Sequence, residues 1–307
     1  MLKRCKNEVV NTIYIPLYHD NSTKQLSYHF NSEVIASAGP AEYSNYIDVV
    51  FQQNEVAYFI SRKLYRFFVN HELTEEVEQN IIPAMAAIMI ASDYEIQPVV
   101  EALLKSQHFY DANLVGSAIR SPLEMLFSMF NCTGTTINFD LATTSDMYIT
   151  LYYLGDTMGQ GYGTPPSVSG WPAYYQAPNF TKLWVNSTHL KNRTWLAYYF
   201  TLATGLDVNG EFLKIQTIPF LNGLSNPANA NNVIDDIIRV FLPKPISAAQ
   251  RQILKFILLG GQPDFEWTIQ YNEYLAAPTD PTYYLPIQQK VELTLFQLFQ
   301  MPEYHTV

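Results

Sequence analysis

Residues 155–193 contain the side chains whose types best suit the binding of a small molecule. The glycines of this segment and the pair Pro165-Pro166 interrupt helix and strand, because glycine allows unusual backbone angles and proline has no N–H to donate. Aromatic rings are nevertheless frequent here, and their faces can stack on a neutral ligand while amides bind its hydroxyl groups. The predicted contact residues are Gln160, Trp171, Tyr174, Tyr175, Trp184, Asn186, His189 and Arg193.

The same segment also has a purely structural interpretation. Trp171 and Trp184 would then fill gaps between helices, with Pro172 and the glycines permitting close approach. His189 and Arg193 are four residues apart, so both project from one face of a predicted helix that Asn186 or Ser187 caps. His189 could equally be an ordinary exposed polar residue.

A different hypothesis is catalytic. Two carboxylates can act as general acid and general base on a glycosidic bond, and the candidates are Asp20 and Asp156. The sequence does not place these two side chains within reach of each other. The alternatives are therefore a binding protein, a polysaccharide hydrolase and a helical scaffold without a ligand.

Metal and cofactor motifs are weak in this sequence, and none is predicted. His19, Asp20 and His29 could supply metal ligands, but histidines that hold a turn by hydrogen bonds explain them as well. Cys5 and Cys132 have no metal-binding spacing, and two free thiols are favoured over a disulfide bridge.

Two motifs resemble known sites only at first sight. The closely spaced glycines from Gly155 to Gly163 are not followed by the Gly-Lys-Ser/Thr of a phosphate-binding loop. The stretch that begins His71-Glu72 lacks the second histidine, one turn on, that a zinc protease helix requires, because Glu75 stands there. Neither nucleotide binding nor zinc proteolysis is predicted.

Composition excludes several classes of protein. The chain of 307 residues has a formal net charge of −10 and a pI near 5.0, which argues against binding nucleic acid. Charged residues make up 15%, below the roughly 25% of typical soluble domains, and such a surface suits an exported protein. The apolar run 81–91 is too short to span a membrane, and no signal peptide is predicted at the start of this chain.

Hydrophobic periodicity predicts one mainly α-helical domain over residues 1–307, with residues 1–50 poorly defined. The clearest helix covers 55–70, where Phe59, Phe67 and other apolar residues should face the core and Arg62 should be ion-paired. A second strong stripe predicts a helix over 232–242. Capping boxes that start at Ser121 and Ser247 predict two further helix beginnings.

Several motifs resemble one protein family, in the expected order along nearly the whole chain. They are His19-Asp20, the aromatic and basic run 59–69, Ser121-Pro122-Leu123-Glu124, Gly159-Gln160, Ser169-Gly170-Trp171-Pro172 and Met301-Pro302-Glu303-Tyr304. This pattern is similar to the domain-of-unknown-function 1800 family of bacterial proteins. The resemblance implies a longer relative with an export signal, of which this chain would be the C-terminal part and residues 1–50 a remnant.

The resemblance also implies a periplasmic, envelope-associated or secreted location. Genes of the family commonly lie beside genes for exported sulfatase-like proteins, which makes such a protein a possible partner. Taken with the aromatic segment, this favours a non-enzymatic module that binds a glycan or a partner exported protein through residues 155–193.

Overall fold

The computed structural model describes residues 14–137, 139–202 and 204–307. The described residues are mainly α-helical with very few strand residues, which confirms the predicted fold class. Contacts between Cα atoms divide the chain into two compact units, Met1–Leu114 and Val115–Val307. The two units are described separately below, and the assignment of all 307 residues to one domain stays a prediction.

The first unit has four helices of more than one turn among its described residues, and three of them share its core. Its elements are a short antiparallel pair β1 (Lys24–Gln25) and β2 (Val34–Ile35), then α1 (Glu42–Phe51), α2 (Asn54–Phe68), α3 (Ile82–Ala91) and α4 (Ile96–Lys105). One π-helical turn, Val77–Ile81, leads into α3 just before Pro83, where the missing proline N–H disturbs regular α-helical bonding. The core joins Ala57 and Tyr65 of α2 to apolar residues of α3 and α4.

The predicted helix over 55–70 is confirmed, but its predicted core face is wrong in part: Ile60 and Leu64 pack against the core, whereas Phe59 is exposed. The buried residues of α2 are Ala57, Ser61 and Tyr65, while the Phe67 ring is 79% exposed. Arg62 donates to Glu55 and to Glu78, so its predicted ion pairing is confirmed. The helix has apolar residues on most of its circumference, and two of its fully buried positions are the small Ala57 and Ser61.

The second unit is a larger helical body centred on its last helix. Ile287, Val291, Leu295 and Leu298 of that helix are fully buried, at the three- and four-residue spacing of one helix face. The elements of this unit are α5 (Pro122–Thr133), α6 (Leu141–Thr157), α7 (Pro172–Tyr175), α8 (Ser187–Thr201), the hairpin β3 (Leu206–Val208) and β4 (Glu211–Leu213), α9 (Thr217–Asn222), α10 (Ala230–Phe241), α11 (Ala248–Leu259), α12 (Asp264–Ala276) and α13 (Pro281–Phe299).

Helix ends in this unit follow the predicted local chemistry. Ser121 and Ser247 each form a complete capping box, with Glu124 and Gln250 as the reciprocal partners. Gly260 ends α11 in the left-handed conformation, with φ of 62°. Both predicted boxes are therefore confirmed.

The glycine- and proline-rich segment is irregular from residue 158 to 171. It is followed by the one-turn helix α7 and by a 3₁₀ helix, Phe180–Trp184, before α8 begins. Helix α6 runs past Gly155 to Thr157, so the irregular path starts slightly later than the sequence indicated. Every helix among the described residues is too short or too polar to cross a lipid bilayer.

Candidate functional site

Gln160 connects the irregular segment to the start of α5. Its side-chain oxygen accepts the N–H of Leu123 at 3.0 Å, and its amide nitrogen donates to the phenol oxygen of Tyr174 at 3.2 Å. The first N–H groups of a helix have no partner within the helix, so Gln160 satisfies one of them. The side chain is 5% exposed and acts through Tyr174 rather than as an open contact group.

Tyr174 is the most exposed of the predicted contact rings that the segment holds in place. The ring is 55% exposed, and Trp171 and Trp184 pack edge-on against it, with centroid distances of 6.3 and 5.6 Å. Partial burial, followed by the nearby charge of Glu124, raises the pKa of its phenol. Tyr174 is thus a neutral ring, fixed on three sides and open on another.

Trp171, Tyr174 and Tyr175 lie on or next to the one-turn helix α7, and we call these three residues the aromatic patch. Tyr175 is 44% exposed, and its phenol oxygen lies 3.3 Å from the hydroxyl of Ser167. Trp171 is half-buried, and its indole N–H has no hydrogen-bond partner among the described residues. The structure therefore combines two accessible rings with one partly covered ring.

Trp184 lies beneath this patch rather than on it. Its side chain is only 4% exposed, as the interpretation of this residue as a plug predicts. Its backbone oxygen is 3.3 Å from Nδ1 of His189. Trp184 supports Tyr174 from the protein side and is closed to a ligand at the surface.

Asn186 and His189 form the start of α8. The side-chain oxygen of Asn186 accepts the N–H of His189 at 2.8 Å and caps the helix. The imidazole is half-buried and lies so close to Gly159 that a Cβ there would come within 3.1 Å of its Cε1. His189 is therefore a packed residue of the segment, not a freely exposed one.

Arg193 is part of the interior, although it shares a helix with His189. The side chain is 1% exposed, donates to the carbonyl oxygen of Arg120 at 2.8 Å, and has its Nη1 3.4 Å from Nδ1 of His305. Burial, followed by the charge of Arg120, lowers its pKa to about 10. This guanidinium remains charged at neutral pH and is closed to an external ligand.

Tyr304, near the C-terminus, completes this buried polar cluster together with Ser128 and Arg120, and sequence reasoning did not assign these three residues a role. Tyr304 is fully buried, donates to the carbonyl of Met125 at 3.0 Å, and lies 2.8 Å from the hydroxyl of Ser128. Burial raises the pKa of this phenol well above its usual range. The guanidinium of Arg120 lies over the Tyr304 ring at 4.8 Å, so Met301-Pro302-Glu303-Tyr304 is a packing motif in this structure.

The buried cluster predicts a pH dependence of stability. Burial, followed by the charges of Arg193 and Arg120, lowers the pKa of His305 to about 4 from its ordinary value of 6.5. The unfolded chain then binds more protons than the folded chain between these two values, so stability is complete above pH 6.5 and falls as the pH drops towards 4. We expect a loss of about 1.4 kcal/mol per pH unit from this group in that window.

Urea unfolding at several pH values from 7 to 4.5 measures this loss. The control is His305→Gln, which keeps a hydrogen-bond acceptor near Arg193 but does not titrate. The variant should lose markedly less stability than wild type across the window. Equal pH slopes in the two proteins would show that His305 does not titrate as the structure indicates.

The environment of Asp20 limits the role that this residue could take in the candidate carboxylate pair to that of the ionised base. Hydrogen bonds from the backbone and hydroxyl of Ser22 lower the pKa of Asp20, and an ionised carboxylate cannot donate a proton as a general acid. Asp156 is exposed near the end of α6 in the second unit, whereas Asp20 belongs to the first. The hydrolase hypothesis stays a prediction.

The structure tests the predictions for the candidate metal ligands and for the two cysteines only in part. His19 lies 3.5 Å from a carboxylate oxygen of Glu42, a structural contact within the first unit. Among residues 14–137, 139–202 and 204–307, no three His, Cys, Asp or Glu side chains group as metal ligands. Cys132 forms no disulfide with a described residue, while Cys5 lies outside the described residues.

Comparison with known proteins identifies one family. A family model described as a protein of unknown function (DUF1800) matches residues 3–305, which is almost the whole chain. No match was found among curated proteins or among solved structures.

Proposed function

Since this chain belongs to the DUF1800 family, whose description assigns no activity, we propose a function from the geometry of its own residues. The proposed function is the non-enzymatic binding of a glycan at the aromatic patch. The observation that carries this proposal is Tyr174, a half-exposed ring that Gln160, Trp171 and Trp184 hold in place. A ring fixed before binding loses little conformational freedom when a sugar stacks on it.

The charge of the surrounding segment supports a neutral ligand. Lys182 is the only charged side chain in the sequence from residue 158 to 185. Phosphate-bearing ligands are usually bound by clustered Lys and Arg, which this segment lacks. The exposed amides of Gln176 and Asn179 follow the patch in the chain and supply donors and acceptors for sugar hydroxyls.

A glycan ligand agrees with the envelope-associated or secreted location that the family resemblance implies, and this location is part of the proposal. The alternative partner, an exported sulfatase-like protein, would use the same exposed tyrosines. A pull-down with such a protein, with wild type and with patch variants, separates the two ligands. Binding of that protein, without binding of any glycan, would show that the ligand of the aromatic patch is a protein and not a sugar.

Removing one exposed ring from the patch should weaken glycan binding about tenfold or more, because a central aromatic contact is typically worth over 1 kcal/mol. Calorimetric titration of a panel of neutral polysaccharides compares wild type with Tyr174→Ala and Tyr175→Ala. Tyr174→Phe keeps the ring and should retain most of the affinity. Tyr28→Ala removes a tyrosine that is 77% exposed in the first unit and serves as the matched control.

The outcomes discriminate between the candidate functions. Wild type that binds no member of the panel, or a Tyr174→Ala variant that binds as well as wild type, contradicts the proposal. Release of reducing sugar from the panel by wild type would favour the hydrolase hypothesis. In that case Asp156→Asn should abolish the release.

A further inference from the structure

The Asp156 carboxylate lies near the C-terminal end of α6, outside the aromatic patch. Its side chain is exposed, and among the described residues it takes part in no ion pair and accepts no hydrogen bond. An ionised carboxylate has two oxygens that accept hydrogen bonds and no proton to donate. Both oxygens of Asp156 are therefore open to donors from a ligand.

Two hydroxyl groups lie beside Asp156. Tyr152 precedes it by four residues on α6, and residues at this spacing are neighbours on a helix surface. A Cβ at Gly161 would be 2.8 Å from Oδ1 of Asp156 and 2.6 Å from Oγ1 of Thr164, so both oxygens lie next to this glycine. The phenol oxygen of Tyr152 is 3.1 Å from Oγ1 of Thr164. We call Tyr152, Asp156 and Thr164 the acceptor cluster.

The name of the cluster follows from the hydrogen bonds within it. The Thr164 hydroxyl has one proton, which it donates to the carbonyl oxygen of Gly161 at 3.2 Å. Thr164 therefore accepts the proton of the Tyr152 phenol. The capacity that remains open belongs to the Asp156 carboxylate and to the phenol oxygen of Tyr152, and all of it is acceptor capacity. A ligand of this cluster must supply donors, as the hydroxyl groups of a sugar do.

The segment Thr164-Pro165-Pro166-Ser167 connects the acceptor cluster to the aromatic patch. Thr164 contacts Tyr152 at one end, and at the other end the hydroxyl of Ser167 lies 3.3 Å from the phenol oxygen of Tyr175. The two prolines fix φ at both intervening residues, so this connection has little conformational freedom. Three residues span at most about 11 Å, which places the cluster and the patch within reach of one ligand chain.

A second connection joins the same two places. Gly161, which lies beside the Asp156 carboxylate, directly follows Gln160 in the chain. The amide of Gln160 donates to the phenol oxygen of Tyr174 at 3.2 Å. The stretch 160–164 therefore contacts both the acceptor cluster and the exposed ring of the patch.

An exposed ring also lies beside the acceptor cluster. Tyr153 precedes Asp156 by three residues on α6, and its ring is 60% exposed. It packs edge-on against the ring of Tyr152, with a centroid distance of 5.3 Å. A sugar could stack on this ring while its hydroxyl groups donate to the carboxylate, which is the same combination of contacts that the patch offers.

We propose that the acceptor cluster is a second subsite of the glycan site, so that the ligand is a linear neutral oligosaccharide with free hydroxyl groups that spans both subsites. This inference rests on the proposed binding of a glycan at the aromatic patch, and it adds the length and the chemistry of that glycan. The Asp156 charge disfavours sulfated and uronic sugars by repulsion. Two contacts joined in one ligand chain bind more tightly than either alone, because the second forms within the complex.

Calorimetric titration with cellobiose and cellohexaose, and with the dimer and hexamer of each other neutral polysaccharide in the panel, tests the length of the site. For a polysaccharide that binds, the hexamer should bind at least about tenfold more tightly than the dimer, since only the hexamer reaches both subsites. A hexamer also presents more equivalent positions to a single subsite, so variants must show where the gain arises.

Asp156→Asn keeps the size of the side chain and removes its charge. It should weaken the hexamer about tenfold and leave the dimer unchanged. A fully O-methylated hexamer has no hydroxyl donors and should bind to Asp156→Asn and to wild type equally. The matched control is Glu273→Gln, which should leave every affinity at the wild-type value. Glu273 is an exposed helical carboxylate in a different place, a cleft that Gln262, Gln270 and Lys290 also line.

Three results would overturn the proposal. One is a dimer that binds wild type as tightly as the hexamer. Another is unchanged hexamer affinity in Asp156→Asn. A third is a glucosamine hexamer that binds through Asp156 more tightly than any neutral hexamer, which would indicate a site for a cationic amino sugar.

The two proposals fail in different ways. Tyr174→Ala should weaken the dimer and the hexamer alike, whereas Asp156→Asn should weaken only the hexamer. Wild type that binds no glycan contradicts the proposed function, and the second subsite fails with it. Glycan binding that depends on Tyr174 but not on Asp156 contradicts the second subsite alone.

Discussion

Gly155→Ala should destabilise the second unit by about 2–3 kcal/mol, near the upper end of what forced overpacking costs. A Cβ at this position would lie 2.6 Å from Cδ2 of Leu123 and 2.8 Å from the backbone oxygen of Gln160. The second contact is with backbone, which cannot rotate away. The Gly155 carbonyl also accepts the N–H of Gln160 at 2.9 Å, so the chain closes tightly over this glycine.

Urea denaturation followed by circular dichroism measures the change in the free energy of unfolding. The matched control is Gly223→Ala, because the nearest atom to a Cβ there is 3.4 Å away and its φ is −83°. The control should be neutral or slightly stabilised, since alanine restricts the unfolded chain at a compatible backbone position. Equal stabilities of the two variants would mean that Gly155 has more room than the structure shows.

The tight turn over Gly155 also explains why the segment after α6 has a defined conformation. Gln160 can reach both Leu123 and Tyr174 only because the chain turns directly over Gly155. The position of the exposed phenol ring therefore depends on a glycine nineteen residues earlier in the chain. A weaker turn should loosen the aromatic patch before it unfolds the helices.

Local signals in the sequence predicted helix ends well. The capping boxes at Ser121 and Ser247 require only residues three positions apart, and both form as predicted. The stripe over 232–242 predicted α10 (Ala230–Phe241), whose buried residues include Val233, Ile234 and Ile237. Where polar and apolar residues separate cleanly around a helix, periodicity is sufficient to identify its buried face.

Helix α2 shows where this reasoning fails. Its apolar residues outnumber the positions that one face can bury, so periodicity cannot decide which of them are inside. The buried residues of the helix are Ala57, Ser61 and Tyr65, whereas the Phe67 side chain is exposed. Packing between two helices depends on the surface shapes of both. The sequence of one helix does not describe the surface of its neighbour, so it cannot specify which residues the neighbour buries.

The candidate site was also predicted only in part. The sequence indicated which residues assemble around α7 but not which of them remain accessible. Gln160, Trp184 and Arg193 turned out to be buried, whereas Tyr174 and Tyr175 are open. The cleft that Gln262, Gln270 and Lys290 line could not be predicted, because these residues come from α12, from α13 and from the connection before α12, and no local motif specifies how these elements pack.

Arg193→Ala should destabilise the protein by about 3–5 kcal/mol, comparable to truncating a large buried side chain. The side chain is 1% exposed, and its removal leaves a cavity between α8 and the C-terminal residues. The carbonyl oxygen of Arg120 also loses the donor that now lies at 2.8 Å. A buried acceptor without a donor adds roughly 1–3 kcal/mol to the cost of the cavity.

Arg193→Met separates the contribution of volume from that of charge. Methionine fills most of the space, and it removes a desolvated cation that lies close enough to Arg120 for the two charges to repel. Replacing a buried charge by an apolar side chain of similar size is often nearly neutral. We therefore expect Arg193→Met to recover at least half of the stability that Arg193→Ala loses in urea denaturation at pH 7. If both variants lose the same amount, the hydrogen bond to Arg120 outweighs packing. If neither loses more than about 1 kcal/mol, Arg193 is not the internal support that its burial indicates.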